Sequence, residues 1–485
     1  MPECLDLIIY DWNKAIVIRR CSRMERNGKV LDMTQGKPVK MILAFAIPLF
    51  IGNIFQQVYS MVDTMVAGYC LGDQAIAAIG ATSALYGLII SIAWGLNSGF
   101  ALVVTQSFGA HDNSKLRKAI GSMMLLDGTI TAILTVLSIA FLTPLMWLMN
   151  TPESIFDQAY SYMVVICAGM TATICYNMFA GILRSFGNSR TPLYFLIFSS
   201  LLNIALDLLF VAVFRMGVGG AALATVVSQA VSGILTGIYV YRHYRDMMPT
   251  KDDFKPEWPL IRELLSTGSA MAFMYSVIDL GSVAFQGANN ALGEAVIAAH
   301  TAARRIIMIL MQPMSTIMDA SGTFVAQNWG AHQKKRIREA LKKVMGMEIA
   351  WGLFSCLIVY LFGRAIVHYT TGTNSTEILD NAVMSLRIHF PFYPVLGVLL
   401  AMRVSMQSMG QKTAPVCSSV IELIMKVIAS FWLIPKYGFL GTCVTEPVTW
   451  VVMTAFLLTV YMTRTRKLLA EKPGMISGDE AYACA

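Results

Sequence analysis

Twelve apolar runs constrain this chain more than any other feature of its sequence. They cover 41–67, 77–107, 119–149, 159–182, 192–214, 218–241, 263–289, 295–327, 341–363, 381–408, 415–435 and 439–463. An α-helix rises about 1.5 Å per residue, so about 20 residues cross a hydrocarbon layer roughly 30 Å thick. Each run is long enough. A spanning helix satisfies its own backbone hydrogen bonds, which an irregular segment in lipid does not. The expected fold is therefore an all-α polytopic membrane protein with twelve transmembrane helices. Composition agrees: 14% of residues are charged, against about 25% in soluble domains. The net charge of +8 does not imply a nucleic-acid partner, because the basic residues fall in short loops between apolar runs. The partner this chain requires is the lipid bilayer.

Those basic residues also set orientation. The second, fourth, sixth, eighth and tenth connections and the terminal one carry groups such as Lys115, Arg117 and Lys118, or Lys334, Lys335, Arg336 and Arg338. The alternate connections hold only Arg215, Arg364 and Lys436. Cytoplasmic loops collect Lys and Arg, so both termini are expected in the cytoplasm, with the chain in the cell membrane. The nine cysteines form no CxxC pair and show no metal-ligand spacing with histidine, so neither disulfides nor a zinc site is expected. Residues 1–40, basic and without a long apolar run, read as a poorly ordered cytoplasmic tail, with Met33 as a second possible start. Residues 464–485 read as the other tail.

The chain also repeats. QSFGAHDNSKLRKAI from Gln106 matches QNWGAHQKKRIREAL from Gln327, and LGDQAIAA from Leu71 matches LGEAVIAA from Leu292; both pairs are 221 positions apart. RSFGNSRTP from Arg184 pairs with QSMGQKTAP from Gln407, and Gly217 and Gly220 pair with Gly438 and Gly441. The expected domains are an N-lobe over 41–241 and a C-lobe over 263–463, joined by a cytoplasmic linker over 242–262 that holds Pro249, Pro256 and Pro259. Six spans return the chain to the same side, so the repeat is parallel. Two pseudo-symmetric six-helix lobes would then leave a central cleft suited to alternating access.

Polar residues inside the runs are the candidate functional groups. In PLFIGNIFQQVYSMVD, residues 48–63, an acid sits at bilayer depth. There it costs about 2.5–3.5 kcal/mol on insertion scales, so Asp63 must face protein or water. Gln56, Tyr59 and Asp63 follow helical spacing and form one polar stripe. Pro48 removes a hydrogen bond from the same helix and supplies a bend. On the fifth run, Asn203 and Asp207 make a second deep polar pair. Both acids fall in the outer half of the membrane, which lets them share a pocket that takes an ion on one side and sheds it on the other. The structural alternative is a set of helix–helix hydrogen bonds, which also accommodates Tyr59, Asn203 and Thr225. Asp127, Asp279, Asp319 and Glu348 read as structural acids paired with Arg304, Arg305 or Arg387. Glu422 and Lys426, four residues apart, should neutralise each other. Glu446, beside Pro447 in the twelfth run, reads equally as a cleft-facing acid or a structural one. His300 reads as a packing residue, and His111 and His332 as turn residues.

PLFIGNIFQQVYSMVDTMVAGYCLG, LRSFGNSRTP and NIALDLLF resemble the multidrug and toxic compound extrusion (MATE) transporters. The resemblance runs from Met33 to about Lys467, and TQGKPVK from Thr34 resembles the usual beginning of such chains. It implies a two-lobed twelve-helix fold, a monomer, and export of small organic cations in exchange for H⁺ or Na⁺, with no other cofactor. By the same resemblance, Asp63, Tyr59, Asn203, Asp207 and Thr225 form the cation-linked network of the N-lobe, where Na⁺ would sit at Asp63 and Asp207, and Pro48 is the bend. Some members use acids on the seventh and tenth helices instead. Here Asp279 lies about half a turn off that position, and Gln407 and Gln411 stand where the tenth-helix acid would be, which leaves Asp279, Asp319, Arg304 and Arg387 without an assigned role. Two other classes compete. A lipid-linked saccharide flippase of the wider superfamily would want a cationic cleft, which Arg304, Arg305 and Arg387 alone could supply. A pump or membrane enzyme would want a Walker A or HExxH motif; GQKT at Gly410 lacks the GK step, and no HExxH occurs.

Overall fold

The computed structural model describes residues 30–149, 151–373 and 375–470; the parts of both tails beyond these bounds lie outside the described residues. Among those described there is no strand. The helices are α1 (Pro38–Leu71), α2 (Asp73–Gly109), α3 (Asn113–Ala140), α4 (Leu142–Leu148), α5 (Glu153–Ala168), α6 (Met170–Ser185), α7 (Arg190–Asp207) and α8 (Gly217–His243). After a linker with two short 3₁₀ turns come α9 (Trp258–Asn290), α10 (Glu294–Gly330), α11 (Lys334–Thr371), α12 (Thr376–His389), α13 (Tyr393–Ser408), α14 (Thr413–Ile428), α15 (Ile434–Tyr437), α16 (Phe439–Val460) and α17 (Arg466–Ala470).

Among the described residues, ten stretches are long and apolar enough to cross a membrane, and α5 with α6 makes an eleventh, bent by 45°. The remaining predicted span falls on α10, 37 residues long, whose Glu294, Arg304, Arg305 and Asp319 dilute its apolar character. The third predicted run is divided at Phe141 between α3 and α4, and the tenth is broken by a 3₁₀ turn over Phe390–Phe392. A π-helical turn, Leu208–Val213, follows α7, and another, Ala429–Leu433, follows α14.

The chain forms two compact units. Among the described residues the first holds 30–35 and 47–272, the second 36–46 and 273–470. The change of unit within α1 therefore falls beside Pro48, although α1 continues as one helix through that proline. In the first unit α8 packs on α5, α6 and α7, while α2 packs on α3, α5 and α6. Phe108, Phe186 and Tyr244 pack there with tilted rings, their centroids 5.4 and 5.2 Å apart. In lipid there is no hydrophobic drive between helices, so close backbone approach supplies the attraction. Gly99 on α2 shows how close: a Cβ there would lie 2.5 Å from Gly268 Cα on α9.

The segment before α1 is packed from Val30, not loose as the sequence suggests. Asp32 and Met33 are buried, and Asp32 Oδ1 accepts from the Thr34 N–H at 2.9 Å and hydroxyl at 2.6 Å. In the second unit α11 packs on α10, α12 and α13, and α16 on α12, α13 and α14.

The repeat recurs in backbone conformation. His111 and His332 both hold positive φ, at 57° and 56°, as the turn role predicts. Gly72 and Gly293, Gly187 and Gly410, and Gly217 and Gly438 all have positive φ in matching pairs.

Candidate functional site

Five helices of the first unit bring polar residues to one place. α7 carries Asn203 and Asp207 four residues apart, on one face, and both are 1% exposed. Asp207 is the last residue before the π-helical turn, a distortion frequent at functional positions because it re-aims the side chains around it. With its amide nitrogen facing the acid, Asn203 donates to Asp207 Oδ2 at 3.0 Å, and its oxygen accepts from the Thr225 N–H at 3.2 Å. Thr225, on α8, donates its hydroxyl to the Ala221 carbonyl at 3.2 Å.

From α1, Tyr59 lies beside the Thr225 side chain, and Asp63 lies one turn further along. The carboxyl groups of Asp63 and Asp207 are within hydrogen-bonding reach of each other. Each keeps one buried oxygen, Oδ1, without a protein partner. Five of the residues singled out from sequence, Tyr59, Asp63, Asn203, Asp207 and Thr225, thus meet in one connected set. Gln56, on the same predicted stripe, is exposed and stands outside it, and Pro48 is buried in α1 more than three turns from Asp63.

Two residues of the set were not foreseen. Tyr86 on α2 and Tyr162 on α5 lie close enough to Asp63 for their charges to interact. Beside them is a small cavity lined by Tyr86, Met163, Ile166, Cys167, Met170 and Thr225. The site is therefore an acidic pair beside phenol rings, next to a small cavity lined in part by thioethers. Its oxygen atoms can hold a proton or a hard cation, and rings and thioethers give a cation an adaptable apolar surround. Among the described residues no three His, Cys, Asp or Glu side chains converge as a metal cluster, so a bound cation would draw its remaining ligands from amide, hydroxyl or carbonyl oxygen.

The structural acids behave unevenly. Asp127 accepts from Asn97 Nδ2 at 2.9 Å, not from an arginine as expected. Glu348, fully buried, has no protein partner on either carboxyl oxygen. Arg387 lies over the Tyr360 ring at 5.8 Å. Glu422 and Lys426 do pair, at 3.0 Å, and Arg403 joins them at 3.6 Å.

An all-α membrane protein that repeats its pattern, with a paired acid inside one repeat, has the architecture of a membrane transporter. The family model MatE matches residues 48–209 and 264–432. The chain belongs to the MatE family, and it is a multi-pass membrane transporter. It is 27% identical over 418 residues to the probable multidrug resistance protein YpnP of Bacillus subtilis, covering 85% of this chain and 89% of that protein. A second Bacillus subtilis relative, the probable multidrug resistance protein YoeA, is 26% identical over 67% of this chain and 71% of its own length. Among solved structures, an outward-facing multidrug resistance MATE family transporter of the MOP superfamily superposes with a TM-score of 0.83 at 21% identity, over 91% of this chain and 98% of that one.

Proposed function

We propose that this protein is an antiporter of the cell membrane that exports small organic cations in exchange for H⁺ or Na⁺, with Asp63 and Asp207 as the exchange site. One observation carries the reading: two carboxyl groups from different helices meet inside the apolar part of one repeat, within hydrogen-bonding reach. A hydrogen bond between two carboxyl groups requires a proton on one of them. When that proton leaves, two negative charges face each other in a poorly solvated site, where their repulsion is strong. A sodium ion held by carboxylate, amide and hydroxyl oxygen, or an organic cation held against the tyrosines, relieves the same repulsion. Inorganic ion and exported cation therefore compete for one negative charge, which is the requirement for exchange.

The names of the relatives support drugs as substrates. Tyr59 and Asp63 share α1 with Pro48, so a change of occupant at the acids is transmitted along a helix with one backbone hydrogen bond already missing. In this reading the protein works as a monomer with both termini in the cytoplasm.

The test is efflux of a fluorescent organic cation from vesicles containing the protein, first under an imposed pH gradient, then under an imposed sodium gradient. One gradient should drive export, and Asp63→Asn should remove that export while leaving the protein in the membrane. Export by Asp63→Asn at the wild-type rate, or export that ignores both gradients, contradicts the proposal.

A further inference from the structure

The second unit has its own cluster of titratable groups, and the repeat shows where it stands. Helices α7 and α14 begin at Arg190 and Thr413, 223 positions apart, which sets Lys426 opposite Asn203. Gly217 and Gly438 align α8 with α16 and set Glu446 opposite Thr225. The neutral residue that holds Asp207 in one repeat, Asn203, and the neutral residue that holds Asn203, Thr225, are thus a cation and an acid in the other.

We propose that His389 and Glu446 form a second proton-holding site, separate from the Asp63–Asp207 pair, in which one exchangeable proton ties the end of α12 to α16. The hydrogen-bond geometry requires that proton. His389 Nδ1 lies 2.7 Å from the Ser385 carbonyl oxygen, which only accepts, so Nδ1 carries a hydrogen. Nε2 lies 3.3 Å from Glu446 Oε2. That contact is attractive only with a proton between the two atoms, on the nitrogen or on the oxygen. With the proton, the pair is neutral overall. When the proton passes to water, the imidazole keeps its Nδ1 hydrogen, the Nε2 lone pair faces a carboxylate, and the pair carries one negative charge. Attraction becomes repulsion.

The surrounding groups fit exchange. Arg304 Nη1 on α10 is 4.0 Å from Glu446 Oε1 and answers the charge that appears. Lys426 on α14 also acts on Glu446, although it is tied to Glu422 at 3.0 Å and to Ser282 at 3.1 Å. His300 on α10 interacts with Glu446, Arg304 and His389; it is 8% exposed, and its Nε2 has no protein partner. The Tyr393 hydroxyl donates to the Ile307 carbonyl at 3.0 Å, and Cys443 lies one turn before Glu446. The Glu446 side chain is 21% exposed and that of His389 5%, so the proton enters and leaves at the carboxyl side.

Both partners sit at weak points in their helices. His389 ends α12 just before the 3₁₀ turn that contains Pro391. Glu446 immediately precedes Pro447, inside α16. A proline interior to a span leaves a carbonyl without its helical donor and lowers the cost of bending there. The proton therefore controls a tie between two bendable points. This inference does not depend on the role given to Asp63.

Trp450 reports on the site, since its ring lies 5.9 Å from that of His389, edge to face, and an imidazolium quenches indole emission. The experiment is a fluorescence titration of the purified full chain from about pH 4 to about pH 10, a range that brackets ordinary histidine ionisation. The difference between wild type and Trp450→Phe isolates the Trp450 signal. The expected result is a sigmoidal quench as pH falls. It should persist in Asp63→Asn, vanish in His389→Gln, and shift its midpoint by about one pH unit or more in Glu446→Gln. A Trp450 signal flat across the range, or an unchanged midpoint in Glu446→Gln, overturns the proposal, as does the same titration surviving in His389→Gln. The Asp63→Asn arm keeps failure here distinct from failure of the exchange-site reading.

Discussion

In the first repeat, Asn203, itself anchored by the Thr225 backbone, holds a single acid, Asp207, beside Asp63. In the second, the matching positions hold Lys426 and Glu446, and the charges are answered by other charges: Glu422, Arg403, Arg304 and His389. The backbone frame is shared, down to paired glycines of positive φ and a π-helical turn after α7 and α14. The chemistry mounted on it is not. A second contrast lies on the third helix of each repeat. Asp127 and Glu348 are 221 positions apart, both buried, but Asp127 has a donor in Asn97, whereas the residue opposite Asn97 is Met318. The frame fixes where a polar group can stand; the neighbours decide whether it is bound, paired or idle.

The largest effect should come from removing the acid that only the first repeat has. Asp207→Asn keeps the shape and the hydrogen bonds of the site but removes the second carboxyl, so ion-driven dye efflux from vesicles should fall at least tenfold, to the level of vesicles without the protein. Efflux within twofold of wild type would erase the contrast between the repeats.

The paired acids on the third helices should respond in opposite ways. Asn97→Ala leaves Asp127 buried without its donor and should cost about 1–3 kcal/mol, read as a lower melting temperature in detergent. Glu348→Met removes a buried polar group that has no protein partner to lose, so the melting temperature should hold or rise. Equal losses from both would show that Glu348 is held as firmly as Asp127.

A smaller effect belongs to the linker that follows the first repeat. Asp253 Oδ2 accepts from the Thr250 N–H at 2.9 Å, the Thr250 hydroxyl at 2.7 Å and Arg117 Nε at 3.2 Å. Burial alone would raise this carboxyl's pKa, but these donors and the guanidinium outweigh it and hold it below the usual carboxylate range. A lowered folded pKa gives stability that is present above the unfolded value, about 3.9, and is lost as pH falls through the folded one. Asp253→Ala should therefore cost about 1 kcal/mol at neutral pH, and that cost should shrink below about pH 4. A pH-independent cost would mean that the carboxyl contributes by packing alone.

Much of the fold was legible because hydropathy has a length scale in a membrane and because the chain states its pattern twice. Interruptions within spans were harder to see. Gly169, between α5 and α6, is small and apolar, and nothing in its neighbours announces the 45° bend. The core of the site was legible where charge had to be explained, at Asp63 and Asp207. Tyr86 and Tyr162 were not, because a tyrosine in an apolar helix looks like lipid-facing surface until packing turns it inward; its hydroxyl is the one signal. Gln56 stands apart from the set for a related reason: spacing gives the face of a helix but not the level at which neighbours cover it. His389 and Glu446 lie 57 positions apart on different helices, and no local pattern joins them.

The most direct test of the central claim is equilibrium binding of a fluorescent organic cation to the purified protein, measured against rising proton and then rising sodium concentration. If the cation and the coupling ion share the Asp63–Asp207 charge, one of the two ions should displace the dye competitively from the wild type, and Asp63→Asn should abolish that competition. Dye and ion bound together without mutual displacement, or competition undiminished in Asp63→Asn, would contradict the account.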